Sequence, residues 1–467
     1  MSSAPFLSRH LGHYLLVAQL SEDPLGSVFR ALYAADERRF VRLRVLRSEE
    51  LDPEVIDAMI RENAARGSVP AHSAIVDRPQ LDTVGGIPFM TWDETAGWTL
   101  DTMLARVRAF DPLLWRMHVE AGVTTGDIQR LARESGLRFP PDPGAAEISQ
   151  IGGNIACNAG GPHAFKYGVT GNWVTGIEAV VPPGEIIHLG GPIRKDVAGY
   201  DVKSLLVGSE GTLGLITAAW LKLVPAPELE LPVIGLYRDA DAGVSAIERV
   251  LASGVVPAAI EYLDAVTLSY SGDAYPFGIP DGGTFMVITE ADGSHAEAQR
   301  VAGELREALA DDAVAVHSPE DPAEVSELWR WRSGVAFAIL AQRGGAFSED
   351  IAVPLDRLRD VARETLEIGA RHDVPALSFG HAGDGNIHST FLFSPDDPDQ
   401  ERRADAACHE LFELALRLEG TVTGEHGIGW LKRGQLEHQL GPAAYDLHLR
   451  LKQTFDPKGL LNPGKKR

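Results

Sequence analysis

The chain has 467 residues, 44% of them hydrophobic and 23% charged, and its 43 Lys and Arg against 66 Asp and Glu give a formal charge of −23. At roughly 150 residues per domain, that length implies about three domains and a core that needs no disulfide or metal staple. So acidic a surface repels phosphate backbones and anionic lipid, arguing against a nucleic-acid binder. Two cysteines, Cys157 and Cys408, are too few for an iron–sulfur cluster or a cysteine-ligated zinc site. The first thirty residues hold no signal-peptide-like apolar run, and no window approaches about 20 uninterrupted apolar residues. A soluble cytoplasmic protein with no integral membrane segment is the expectation.

Residues 1–108 show apolar alternation at His13–Val17 and Phe40–Val45, which reads as half-buried strands around the turn-prone Ser21–Gly26. Asp52–Asn63 reads as a helix: Asp52 can cap it, Pro53 suits its first turn, and Val55, Met59 and Ile60 share a face. With His72–Val76, Pro88–Glu94 and Gly97–Leu100 following, the order resembles the small lobe of a serine/threonine protein kinase. The departures fall where phosphate chemistry is done. Only Gly26 remains of three loop glycines, Ser21 and Asp23 replace the others, and Arg44 stands for the strand lysine that would face Glu62. No HRD or DFG sequence occurs, so phosphoryl transfer is not expected, and the segment reads as a degenerate lobe or fused remnant.

Residues 109–224 are dominated by glycine and turn signals: Phe139–Pro143, then Ile151–Gly161, Lys166–Thr170, Lys195–Asp201 and Leu206–Gly214. Glycines cost backbone entropy and are tolerated where the chain must pass close to another group. Three such clusters, interleaved with Asn154, Asn158 and Tyr167, favour a large planar cofactor over ordinary tight turns. The stretch resembles the second half of the FAD-binding domain of the family named after vanillyl-alcohol oxidase and p-cresol methylhydroxylase. That resemblance implies FAD contacts from Pro141, Asp142, Gly153, Asn154, Asn158, Gly161, Tyr167, Gly168, Gly208, Glu210, Gly211, Ile216 and, near the end of the chain, Asn462. The family's pyrophosphate loop, of the Pro-Arg-Gly-Gly-Gly-Thr-Gly type, does not occur, so a truncated domain with weakened FAD binding is expected unless a partner chain completes it. Cys157 has no basic neighbour in sequence and reads as a small packing residue.

Residues 225–467 alternate strand-like segments (Leu231–Leu236, Ala259–Leu263, Thr284–Thr289) with helix-like ones (Ala242–Leu251, Ser294–Leu309). That order suggests a ferredoxin-like sheet with helices on one side, and an α/β (α+β) chain overall. Two histidine motifs carry the chemistry: Phe379–His388, which contains His381, Gly383-Asp384-Gly385 and His388, and Thr423–Gly429, which contains Glu425 and His426. His381 and His388 would face opposite ways on one regular strand, but the Gly-Asp-Gly between them lets the chain bend and bring both imidazoles to one point. Glu425 could complete a site of two histidines and one carboxylate with open positions. Asp384 could orient an imidazole, and His426 is a natural general base.

These motifs, with Trp329–Arg332 upstream and Leu461–Lys465 at the end, resemble the C-terminal domain of FAD-linked oxidases, close to cytochrome-using D-lactate dehydrogenases, the glycolate oxidase flavin subunit and D-2-hydroxyglutarate dehydrogenase. The resemblance implies FAD and a divalent metal, commonly zinc, with manganese or iron as alternatives. His381, His388 and Glu425 would be ligands, His426 the base, Asn386 near substrate or flavin, and Arg332 the fork for the substrate carboxylate. The implied reaction takes a D-2-hydroxy acid to the 2-oxo acid, with the C2 hydrogen leaving as hydride to flavin N5. Electrons would pass on to a quinone, cytochrome or partner flavoprotein, and a homodimer is allowed for. Lys432 and Lys465 read as solvated charges. A non-catalytic scaffold or regulator with a decayed oxidase body is the competing reading.

Overall fold

In a computed structural model of the chain, residues 104–466 are described, together with six strands that lie between His10 and Asp93. The chain divides into two compact units, 1–99 and 100–467. In the first unit, β1 (His10–Leu11), β2 (Tyr14–Asp23), β3 (Gly26–Tyr33), β4 (Phe40–Leu46), β5 (Gln80–Val84) and β6 (Ile87–Asp93) form one antiparallel sheet, ordered β1-β2-β3-β4-β6-β5. The apolar alternations read from the sequence fall in β2 and β4. The helix expected over Asp52–Asn63, and the side chains of Arg44 and Glu62, lie outside the described residues.

The second unit holds two larger sheets. In the first, β7 (Val107–Asp111), β8 (Arg116–Glu120), β10 (Val174–Val181), β11 (Glu185–Gly190) and β12 (Leu215–Lys222) run antiparallel in the order β11-β10-β12-β8-β7. The two-residue strands β9 (Leu137–Arg138) and β13 (Val224–Pro225) pair beside it. Helix Thr125–Glu134 begins where Thr124 Oγ1 accepts the Asp127 amide at 3.1 Å, an N-cap, and it buries Ile128 and Ala132. With helix Ile151–Cys157 it closes a core of Met117, Val119, Ile128, Ile151, Ile155, Ile177 and Leu221.

The second sheet has seven antiparallel strands: β14 (Leu229–Tyr237), β15 (Ala259–Leu263), β16 (Phe285–Gly293), β17 (Ala315–His317), β18 (Gly345–Ala352), β19 (Ala376–His381) and β20 (Asn386–Phe393), ordered β17-β14-β16-β15-β19-β20-β18. The expectation of helices on one side is corrected here. Val233 and Tyr237 pack with helices Ala240–Ala252, His295–Ala310, Leu358–Arg371 and Pro398–Arg417, whereas Ile234 and Leu236 pack with Ala265–Ser271 and Pro322–Arg343. The reason is legible in β14, whose Pro232–Tyr237 run is buried without a break: a strand covered on both faces has no polar side to alternate. Among the described residues, no helix is long and apolar enough to cross a membrane.

Candidate active site

β19 and β20 form a hairpin that places His381 opposite Asn386 and Phe379 opposite His388. His388 is two residues along from Asn386, so the two histidines are diagonal neighbours on one face of the sheet. Their rings stand 5.3 Å apart and nearly perpendicular. The turn between them needs Gly385: its φ is +76°, and a Cβ there would lie 2.1 Å from the Val353 carbonyl oxygen. The loop carrying Glu425 reaches over this pair. Glu425 Oε1 lies 3.8 Å from His381 Nε2, 3.5 Å from His388 Nε2 and 3.7 Å from His426 Nε2. One ligand atom each from His381, His388 and Glu425 fall within 4.8 Å of one another.

Two buried carboxylates, neither singled out in the sequence, hold this arrangement. Glu261, on β15 directly opposite His381, accepts from His381 Nδ1 at 2.6 Å, and its other oxygen is 2.6 Å from Arg332 Nη2. Asp384, the expected orienting group, is instead exposed at the turn and accepts from the Asn386 amide at 3.2 Å. The Glu425 loop forms a nest around the Asp350 carboxylate, which accepts the amides of Gly424 (2.8 Å), Glu425 (2.6 Å) and His426 (2.9 Å). Lys432, expected to be solvated, is 5% exposed and donates to Asp350 Oδ1 at 2.6 Å and to the Val422 carbonyl at 3.0 Å. The signal for Glu261 was a lone acid in the apolar strand Ala259–Leu263, since a buried charge needs a partner.

Electrostatics follow from this packing. Burial works against ionising Glu425, but the hydrogen bond and charge of His381, with His388 and His426 beyond, bring its pKa down to about 2. Burial drives His388 to about 3, a neutral ring. His381 is held well above its usual range because Glu261 and Glu425 outweigh its desolvation. Arg332 is buried over the face of Phe379, 5.2 Å from the ring centroid, and its Nε and Nη2 make no directed hydrogen bond. Asn386 is buried and donates to the Ile351 carbonyl at 3.1 Å. His426, stacked 5.5 Å from His388, is 51% exposed, with Nδ1 3.4 Å from Asp350 Oδ1.

The glycine-rich segments meet this cluster at two points. Gly160 abuts Glu425: a Cβ there would lie 3.2 Å from Glu425 Oε2. Glu210 accepts the amides of Ile428 (2.9 Å) and Gly429 (2.7 Å), and its carbonyl accepts from Asn462 Nδ2 at 2.6 Å beside Gly211. Gly208 donates to the Ile155 carbonyl, and Asn158, left-handed at φ +56°, accepts the Gly171 amide at 2.8 Å. Gly153 is exposed on its helix, and Gly161 passes close to the Asp142 carbonyl.

Other candidates make contacts within the protein. Ile216 is a core side chain, Asn154 donates to Thr125 and Ser149, Pro141 is buried with its carbonyl bonded to Gln129, and Gly168 ends the short helix Ala164–Tyr167 against Asn172. The Tyr167 hydroxyl donates to Asp292, which Lys166 also reaches, and Asp142 accepts from His163 Nδ1 at 2.5 Å. Cys157, expected to pack, is exposed.

The donor set suits a divalent cation: two neutral-capable imidazoles and an ionised carboxylate converge, and one imidazole has its other nitrogen fixed by a carboxylate.

Residues 231–466 match the family described as FAD linked oxidases, C-terminal domain, and residues 83–190 match the FAD binding domain, which thus starts upstream of the boundary at 109 read from the sequence. The chain is 39% identical over 349 residues to glycolate oxidase subunit GlcD of Bacillus subtilis, covering 74% of each. It is 34% identical over 357 residues to a probable mitochondrial D-lactate dehydrogenase of Danio rerio, covering 74% of this chain and 70% of that one. Among solved structures, p-cresol methylhydroxylase superposes with a TM-score of 0.64 at 16% identity over 78% of each chain. Alkyldihydroxyacetonephosphate synthase does so at 0.58 and 17%, over 77% of this chain and 66% of its own, and both share the fold. The protein is therefore a member of the FAD-linked oxidases, an FAD-binding oxidoreductase related to glycolate oxidase subunits and D-lactate dehydrogenases.

Proposed function

We propose that the protein oxidises a small D-2-hydroxy acid, of the D-lactate, glycolate or D-2-hydroxyglutarate class, to the 2-oxo acid, using FAD and a divalent metal held by His381, His388 and Glu425. The observation that carries this reading is Glu261, which ties the anion-seeking Arg332 to the ligand His381 through one buried carboxylate. Bound at these residues, the metal would acidify the substrate hydroxyl, and the flavin would accept the C2 hydrogen as hydride at N5. Arg332 is held by Glu261 through Nη2, and its Nε, which makes no hydrogen bond, is left to donate to the substrate carboxylate. His381 donates from Nδ1 to Glu261, so its Nε2, which faces Glu425, is the atom that would give up its proton to a bound metal. Asp350 favours the His426 tautomer with its proton on Nδ1, so Nε2 is free to take the hydroxyl proton. Asn386 lies beside both ligands on the same face and is placed to contact substrate or flavin. The electrons then leave to a quinone, cytochrome or partner flavoprotein.

The test is an anaerobic visible spectrum of the purified protein with FAD, followed on adding D-lactate, glycolate, D-2-hydroxyglutarate and, as control, L-lactate. Bleaching of the oxidised flavin by a D-acid or glycolate supports the reading. Flavin that stays oxidised with all of them, or no bound flavin, sinks it.

A further inference from the structure

The flavin half also contains a cavity of about 580 Å³ between the start of β10, the end of β11, Lys222 at the end of β12 and the segment 191–203. Arg194, Lys195, Lys203 and Lys222 all line it, in a chain whose net charge is −23. Among the described residues, none of these four cations has a carboxylate oxygen within 4.0 Å. Two are held on aromatic faces instead: Lys222 Nζ sits 5.0 Å from the Trp173 ring centroid, and the Arg194 guanidinium 5.5 Å from that of Trp115. The two acids in the wall are engaged locally. Asp201 caps helix Val202–Leu206, accepting the Ser204 amide at 3.2 Å and its hydroxyl at 2.5 Å, and Asp196 accepts the Ala198 amide at 3.0 Å.

Four cations against two acids leave the wall with an excess of positive charge, and partial burial with Arg194 and Lys203 lowers the Lys222 pKa from its usual value. An anion in the cavity would balance that excess. The volume lies within the roughly 300–1,000 Å³ of small-molecule sites, more than a lone inorganic ion fills. Val174, Leu189 and Ile193 add apolar wall, and Gly171, Gly190 and Gly199 add bare backbone. Multiple cations beside apolar wall and open backbone suit a ligand with a diphosphate and a flat ring.

We propose that this cavity binds the diphosphate of a nucleotide through Arg194, Lys203 and Lys222. The ligand is a nucleoside diphosphate separate from the protein's own FAD, and Gly171, whose amide Asn158 accepts, links the cavity wall to the glycine-rich stretch.

Calorimetric titration of the full chain with inorganic pyrophosphate and with ADP, before and after saturation with FAD, tests it. Both probes should bind, more weakly at high salt. The Lys203→Gln/Lys222→Gln variant should lose at least about tenfold in affinity, the equivalent of 1.4 kcal/mol. Undiminished ADP binding beside bound FAD is the expected result; competition by FAD would assign the cavity to the cofactor and overturn the proposal. Arg194→Gln, on the exposed loop, provides a second variant should the double one misfold. Absence of pyrophosphate and ADP binding, or full affinity in natively folded variants, overturns the proposal. Flavin bleaching by a hydroxy acid would in that case leave the proposed reaction standing.

Discussion

The two sheets of the second unit bury apolar cores of the same kind but treat charge in opposite ways. The seven-stranded sheet takes acids into its strands and answers each one: Glu261 with His381 and Arg332, Glu290 with His163 and the Trp329 indole, Asp292 with Lys166 and Tyr167. The five-stranded sheet buries Glu120 under Arg106 and Arg108 but gathers Lys195, Lys203 and Lys222 at its far end, with no close ion pair among the described residues. A buried ion that is fully paired fixes geometry, and a group of unpaired like charges marks a place for something else. The half that carries the histidines is thus pre-set by its own polar partners, whereas the other keeps an excess of positive charge that a bound anion would answer.

The comparison can be broken most severely at the ligands. Glu425→Ala or His381→Ala should remove bound metal, read by elemental analysis, and abolish turnover while flavin content is kept; a turnover-competent variant would refute the metal site. Glu261→Gln should weaken metal binding by about 10–100-fold in a chelator competition. It should also cost about 3–5 kcal/mol in urea unfolding, because Arg332 loses its buried counter-charge. Ile155→Ala, a cavity in the flavin half with no charge involved, should cost about 2–5 kcal/mol and leave metal content unaltered.

A subtler probe is His163, buried between Asp142 and Glu290 and bridging the two halves. Burial opposes its protonation, but the two carboxylates outweigh that and raise its pKa well above the usual value. Its contribution to stability is therefore complete below the unfolded pKa of about 6.5 and fades as pH rises through the higher folded value. Unfolding midpoints should fall from pH 6 towards alkaline pH, and His163→Gln should flatten that slope. Thr124→Ala, which removes only a helix cap, should cost about 1 kcal/mol by the same unfolding measurement.

Much of this site was legible because its chemistry is local. A hairpin turn built on Gly383-Asp384-Gly385 and an adjacent Glu-His pair announce themselves within ten residues. Glu261, Asp350 and Lys432 were not legible in the same way: each acts across a sheet register or a loop closure that no spacing in the sequence encodes. Lys432 looks like any helix-flanking lysine until a buried carboxylate is placed beneath it. The bonds of Tyr167 to Asp292 and of Asn154 to Thr125 were not legible for a related reason: a polar residue in a glycine-rich stretch is as well suited to bridging two parts of the fold as to touching a cofactor. The second helix layer was hidden because the buried runs of β14 and β16 mark strands without showing what covers their second face.

The central claim is that His381, His388 and Glu425 hold a metal that takes part in hydride transfer from a hydroxy acid to flavin. The direct measurement is the rate of anaerobic flavin reduction by D-lactate or glycolate in protein stripped of metal and then reloaded with zinc or manganese. The expected result is flavin that remains oxidised after stripping and is reduced again once about one equivalent of metal is restored, with Glu425→Ala failing to respond. Reduction at an unchanged rate in the stripped protein would contradict the claim.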